Sequence, residues 1–245
     1  MESTSFEQLP GVHPSPNIQT DPDLYELENL ALDPEGKIEA AMRAIAPWAG
    51  KVLLDLGAGT GFYVPRFHAE AQHVFAVEPH GPSRLRIHER VARLGLERAS
   101  VLAGSAEFIP LRDASVDIVH ARFAYFFAPF CGPGLPELER VIRPGGTAFI
   151  IDNDLRTGTF AAWLEKSRDP MDPDADDIEL YWEKRGFSLT RIASKWQFQD
   201  RATLEAVVRL EFGEKLAPEL LAEHEGLEVE YHYCLYHKRF GEGNQ

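Results

Sequence analysis

Residues 52–56 read VLLDL and run directly into GAGTG at 57–61. An almost wholly apolar run of this length suits a strand covered on both faces, which is how strands of parallel sheets are buried. Gly57, Gly59 and Gly61 permit the tight turn that follows and let a ligand approach the backbone. A helix expected over 62–70 would offer unpaired N–H groups to an anion at its first turn. Strand, glycine loop and helix in this order form a cradle for a nucleotide-type ligand. Phe62 stands where the dinucleotide fingerprint GxGxxG places its third glycine, which disfavours a nicotinamide-type pyrophosphate site.

The same alternation continues beyond the loop. Strands are expected at 52–56, 73–78, 99–104, 116–121 and 147–152, separated by helices at 62–70, 82–95 and 134–142. Such alternation implies an α/β doubly wound domain with a mostly parallel sheet. Before it, residues 1–22 carry four prolines and little periodicity and read as an arm. A helix follows through Leu24, Leu27 and Leu30, and Asp33, Pro34 and Glu35 read as the N-cap and first turn of another that runs to about Ala46. Residues 1–46 are therefore expected to form an N-terminal arm and helices that act as a lid. Residues 47–245 form the main domain, with a cap insertion near 156–186. In the last third, GFSLTRIASKWQF and LEVEYHYCLYHKRF read as two long strands, able to pair antiparallel at one sheet edge.

Composition narrows the function. Acidic residues outnumber basic ones 39 to 25, a formal charge of -14, so a phosphate backbone would on average be repelled and nucleic-acid binding is not expected. Arg84, Arg86, Arg90, Arg93 and Arg98 cluster along one predicted helix and read as a solvated face. The longest apolar run, Phe123 to Cys131, is interrupted by Pro129 and falls far short of the ~20 residues that span a bilayer. With no leader-like N-terminus and two cysteines, Cys131 and Cys234, a cytoplasmic protein with free thiols is expected.

Two acids flank the cradle: Asp55 precedes the loop by two residues, and Glu78 closes the next strand seventeen residues after Gly61. A carboxylate at the tip of the second strand accepts hydrogen bonds from both hydroxyls of a ribose. With these residues the chain resembles the class I S-adenosylmethionine-dependent methyltransferases, most closely the small-molecule branch that includes the ubiquinone/menaquinone methyltransferases. The matching pieces are LDLGAGTG, VEPH, AGSAEFIPLRDASVDIVHARF and LPELERVIRPGG, spread over about 50–155.

The resemblance implies a Rossmann-like seven-stranded sheet, mostly parallel with an antiparallel last strand. It implies S-adenosylmethionine as cofactor, S-adenosylhomocysteine as product and a small organic methyl acceptor. Asp55 would order the glycine loop and approach the methionine ammonium, and the backbone of Gly57, Ala58, Gly59 and Gly61 would line the ligand. Glu78 would hold the ribose, with Pro79 and His80 beside the adenine. Ala106 would meet the adenine edge. Ser105 stands where many relatives carry an acid toward the adenine amino group, a role Glu107 takes by a small shift. Ala121 and Arg122 would line the methionine end, and RPGG at 143–146 would turn into the fifth strand. A cofactor-binding protein that lacks transfer activity and serves as an interaction partner is the alternative reading.

Methyl transfer needs alignment and exclusion of water, and a base when the acceptor loses a proton. His120, Tyr125, Asp152 and Asp154, near the C-terminal ends of strands, are the candidates. FAYFFAPF at 123–130, with Trp163, Tyr181 and Trp182, would wall an apolar acceptor pocket. His232 and His237 read as structural. Asp172, Asp174, Asp176 and Glu183 fall at calcium-loop spacing, but Asp177 occupies the glycine position, and a helix opening at Asp177 accounts for the same acids. No metal is expected.

Overall fold

The computed structural model describes Val12 and residues 15–241; residues 1–11, 13 and 14 of the expected arm lie outside the described residues. Within the arm, Pro16–Thr20 forms a short helix, α1, followed by α2 (Pro22–Ala31) and α3 (Lys37–Ile45). The alternating region holds β1 (Val52–Leu56), α4 (Val64–His68), β2 (His73–Val77), α5 (Gly81–Leu94), β3 (Ala99–Leu102), β4 (Val116–Arg122), α6 (Leu135–Val141) and β5 (Ile142–Asn153). Then come α7 (Thr159–Ser167), α8 (Ala175–Glu183), β6 (Ser188–Ile192), β7 (Lys195–Gln197), α9 (Arg201–Ala222), β8 (Glu228–Glu230) and β9 (Tyr233–Arg239). Seven strands form one sheet in the order β3-β2-β1-β4-β5-β9-β6, mostly parallel with one antiparallel strand, as expected. The chain groups into two compact units, Ala46–Ile150 with the stretch from His237 onward, and Ser15–Ile45 with Ile151–Tyr236.

In the first unit every residue of β1 is buried, as a strand covered on both faces requires. Its parallel register with β4 pairs Leu53 with Ile118, Leu54 with Val119 and Asp55 with His120. The entry to both strands is pinned by Asp117, whose Oδ2 accepts from the Val52 N–H and from Arg143, each at 2.8 Å. Helix α5 ends at Gly95, whose φ of +62° suits the left-handed C-terminal turn that side chains disfavour. RPGG is not a turn ahead of the fifth strand. β5 begins at Ile142, and the ladder already runs through the glycines: Gly145 N–H donates to Phe240 O at 2.8 Å, and Phe240 N–H returns to Gly146 O at 2.9 Å.

The arginine cluster is also corrected. Arg84 donates through Nη1 to the carbonyls of Glu78 and Pro79, Arg90 through Nε to Thr60 O at 3.2 Å, and Arg98 through Nη2 to His68 O at 2.7 Å. These side chains tie α5 and its C-terminal connection to loop carbonyls that no strand or helix satisfies. A guanidinium with five donors suits that task, so three of the five arginines are structural ties.

The second unit departs most from the expected elements. Asp33 does not open α3 as its N-cap. The Gly36 N–H closes a turn onto Asp33 O at 2.9 Å, and Gly36, at φ +66°, delays the helix to Lys37. Asp33 instead accepts from the Ile38 N–H at 2.8 Å and from the Ser194 hydroxyl at 2.6 Å. Each expected long strand is broken in two. Ser194 O takes the Tyr231 N–H at 3.1 Å, Asp33 N–H donates to Lys195 O, and the chain beyond the breaks forms a separate antiparallel pair, β7 with β8. The break turns Trp196 and Val229, cross-strand partners, into a buried cluster, where Trp196 packs against Phe160 and Tyr231. Asp174, whose side chain accepts from the Asp177 N–H, caps α8 two residues ahead of the expected start. α9 is interrupted at Gly213, which has φ +72°. Trp163, Tyr181 and Trp182 are buried in this unit, and Trp182 packs against Phe187 and Tyr236.

No helix among the described residues is long and apolar enough to cross a membrane. Because Asp33 satisfies two donors at a buried position, Asp33→Ala is expected to lower the unfolding free energy by about 2–3 kcal/mol. Ser194→Ala should cost about 1 kcal/mol. Urea denaturation followed by tryptophan fluorescence measures both.

Candidate functional site

The site residues of the first unit gather where β1, β2 and β4 end. Register alone brings Asp55 and His120 side by side on neighbouring parallel strands, and both are buried. Asp55 Oδ1 accepts from His120 Nδ1 at 2.8 Å, and the imidazole lies against the rings of Tyr63 and Phe67, 5.6 and 4.9 Å away between centroids. Asp55 Oδ2 is buried with no donor among the described residues.

Beyond Asp55 the loop turns through three left-handed glycines, with φ of +73° at Gly57, +57° at Gly59 and +75° at Gly61. Gly57 and Ala58 donate their N–H groups to Val77 O at 2.8 and 3.1 Å, which joins the loop to the end of β2. A Cβ at Gly57 would lie 2.4 Å from the Ala124 Cβ, and one at Gly61 would lie 2.9 Å from Ile87, so the next loop and α5 pack directly on this backbone. Glu78 completes the junction. Its Oε2 accepts from the Gly59 N–H at 2.9 Å and its Oε1 from the His80 N–H at 2.8 Å. A carboxylate oxygen accepts more than one donor, so both oxygens keep capacity for hydroxyl groups. Burial pushes the Glu78 carboxyl up to about 7, against the two N–H donors and Arg84, and the nearby Asp55 charge pushes it further the same way.

A second group sits on the loops after β3 and β4. Ser105 and Phe108 exchange backbone hydrogen bonds at 3.1 Å, which places buried Ala106 and half-buried Glu107 at the tip of a tight turn. The Glu107 carboxylate takes the Tyr125 hydroxyl at 2.6 Å. Phe123 and Tyr125 both hold left-handed backbone, at φ +49° and +52°, a concentration of strain in non-glycine residues that is typical of functional loops. The Tyr125 ring fills the space beside Gly134, where a Cβ would come within 2.4 Å of it. Burial, then the bond to Glu107, pushes the Tyr125 phenol above its ordinary range, so it stays protonated at neutral pH. Ala121 is buried, and the Arg122 guanidinium lies over the Tyr63 ring at 4.8 Å and near Phe123 at 5.5 Å. Among the nearby aromatics Phe126 is buried, while Phe108, Phe127 and Phe130 are exposed.

Asp152, Asn153 and Asp154 belong to the second unit and are not among these contacts. Asp152 is half-buried, accepts from the Asn153 N–H at 2.8 Å, and is pushed by burial up to about 6. Buried Asp154 accepts from the Arg156 N–H at 2.9 Å, and His232 meets Thr157 at 2.9 Å. Asn153 receives the Tyr231 hydroxyl.

Several residues that shape the site escape sequence reading. Thr60, Arg84, Arg90 and Ala124 act through backbone carbonyls or bare contact, and a motif reports neither.

Residues 54–150 match the family model described as a methyltransferase domain. An uncharacterised methyltransferase of Mycobacterium tuberculosis is 35% identical over 156 residues, 63% of this chain and 58% of that relative. A ubiquinone/menaquinone biosynthesis C-methyltransferase of Rubrivivax gelatinosus is 34% identical over 123 residues, 50% of this chain and 46% of that one. The chain thus spans only about half to three fifths of these relatives' length. Among solved structures, the YcgJ protein of Bacillus subtilis shares the fold with a TM-score of 0.61 at 17% identity, covering 83% of this chain and 98% of that one. The structural likeness speaks for the fold, and residues 54–150 are similar in sequence to a methyltransferase domain.

Proposed function

We propose that this protein transfers a methyl group from S-adenosylmethionine to a small organic acceptor. The observation that carries the reading is the pair of buried carboxylates, Asp55 and Glu78, at the ends of adjacent strands around a loop of three left-handed glycines. Spare acceptor capacity on Glu78 fits ribose hydroxyls, and the donorless Oδ2 of Asp55 fits an ammonium group. Gly57, Ala58, Gly59 and Gly61 would line the ligand, with Pro79, Ser105, Ala106 and Glu107 toward the adenine and Ala121 and Arg122 toward the methionine end. The bound cofactor would supply an electrophilic methyl on a sulfonium. The chain's task is then to hold donor and acceptor in line and keep water out.

A small acceptor accords with the acidic surface, which disfavours nucleic acid, and with a relative named for ubiquinone and menaquinone biosynthesis. Of the four catalytic candidates, His120 and Tyr125 belong to the first unit with the glycine loop, and Asp152 and Asp154 belong to the second. Tyr125, its hydroxyl held by Glu107 and its phenol raised, serves to shape the acceptor loop.

Calorimetric titration of the full chain tests the cofactor. S-adenosylmethionine and S-adenosylhomocysteine should both bind, and Glu78→Ala or Gly59→Val should weaken them by at least about tenfold with the fold intact by circular dichroism. No binding to the unaltered chain would overturn the proposal. The carboxylate form of Glu78 is the one that accepts ribose hydroxyls, and its carboxyl is raised to about 7. Affinity should therefore improve as pH rises, by about tenfold between pH 6 and 8 with an inflection near 7, and Glu78→Gln should flatten that profile.

A further inference from the structure

We infer that His120 is a positioning residue: by holding one oxygen of Asp55 it aims the other at a ligand's ammonium group, and so sets the site's preference for ligands that carry an amine. The inference rests on the cofactor reading above and assigns to His120 a role other than that of a base toward the acceptor.

A buried carboxylate offers about four lone-pair positions, and its two oxygens become unequal when a single fixed donor engages one of them. Here that donor is His120 Nδ1, 2.8 Å from Oδ1, with both side chains about 97% buried. The imidazole has little freedom to move. Its strand register places it beside Asp55, and the Tyr63 and Phe67 rings close on it. Rotation of a carboxylate about its last torsion is otherwise broad. The bond therefore fixes the plane of the Asp55 carboxylate and decides which oxygen remains for a ligand.

That remaining oxygen, Oδ2, is buried and has no donor among the described residues. A buried acceptor in this state is costly, and an anionic one more so. The donor it calls for is cationic, because the oxygen belongs to a buried carboxylate and β2, the neighbouring strand, leads into a second buried acid, Glu78. A charge-assisted N–H bond to Oδ2 satisfies the oxygen and balances its charge. Neither effect is available from a ligand without an amine. Nδ1 is engaged and the ring is buried, so His120 is badly placed to take a proton from an acceptor.

The test compares two ligands on the full chain by calorimetry: S-adenosylhomocysteine, and its deamino analogue in which hydrogen replaces the α-amino group. The unaltered chain should prefer the first by at least about tenfold. His120→Leu should weaken S-adenosylhomocysteine about tenfold while leaving the deamino analogue within about twofold. His120→Asn, whose amide nitrogen stands near the place of Nδ1, should restore most of the preference, and Asp55→Asn should abolish it. Should the leucine variant fail to fold, His120→Phe, which keeps a ring but has no donor, takes its place: S-adenosylhomocysteine should weaken about tenfold and the deamino analogue should not. Equal losses for both ligands, an unchanged preference in Asp55→Asn, or a native chain that binds both ligands alike would overturn the inference and leave the cofactor reading standing. Failure of the native chain to bind either ligand would overturn both.

Discussion

Polar side chains in the middle of a buried parallel sheet cost several kcal/mol each when they stand alone, and the sheet of this protein carries two, Asp55 and His120, at its centre. They are tolerated because parallel pairing of β1 with β4 sets them opposite each other at 2.8 Å. The position of the glycine loop depends on that pairing. Asp55 is the last polar group before the chain turns, and the loop's first N–H groups bond to the end of β2. A slip of one residue between β1 and β4 would separate the pair and leave two buried polar groups without partners.

Around this pair the loops are held by tertiary ties. The carboxylate of Glu78 bridges the glycine loop and the start of α5, while Arg84 and Arg90 on α5 reach back to carbonyls of the same two loops. Glu107 and Tyr125 link the loops after β3 and β4, and Ala124 lies against Gly57. The ties of Glu78 to Gly59, Arg90 to Thr60 and Tyr125 to Glu107 join segments 18 to 30 residues apart, so the loops that would meet a ligand are ordered by one another. The left-handed backbone at Phe123 and Tyr125 persists because those contacts over-determine it.

In the second unit the same logic runs through Asp33 and Ser194. Their hydrogen bond draws the connection between α2 and α3 onto the chain at β7, and the two expected long strands break there, each contributing one half to the large sheet and one to a small pair. Alternation of apolar and polar residues continues through the second break, from Val229 to Tyr233, while Ile192-Ala193-Ser194-Lys195 interrupts it at the first. Periodicity therefore could not show the second: a strand that changes partner keeps its local pattern, and only a distant partner reveals the change.

The sequence by itself determined the doubly wound sheet, the placement of five strands and their helices, the glycine loop and the two acids that flank it. These follow from local rules, namely burial on both faces, three glycines in a turn, and a carboxylate at a strand tip. The tertiary structure alone decided that His120 faces Asp55, that arginines read as a solvated face bind loop carbonyls, that RPGG lies within a strand, and that Trp163 and Trp182 are core. The physical reason is common to all of them. A hydrogen bond or a packing contact between residues dozens of positions apart has no period and no motif, and it exists only once the chain has closed upon itself.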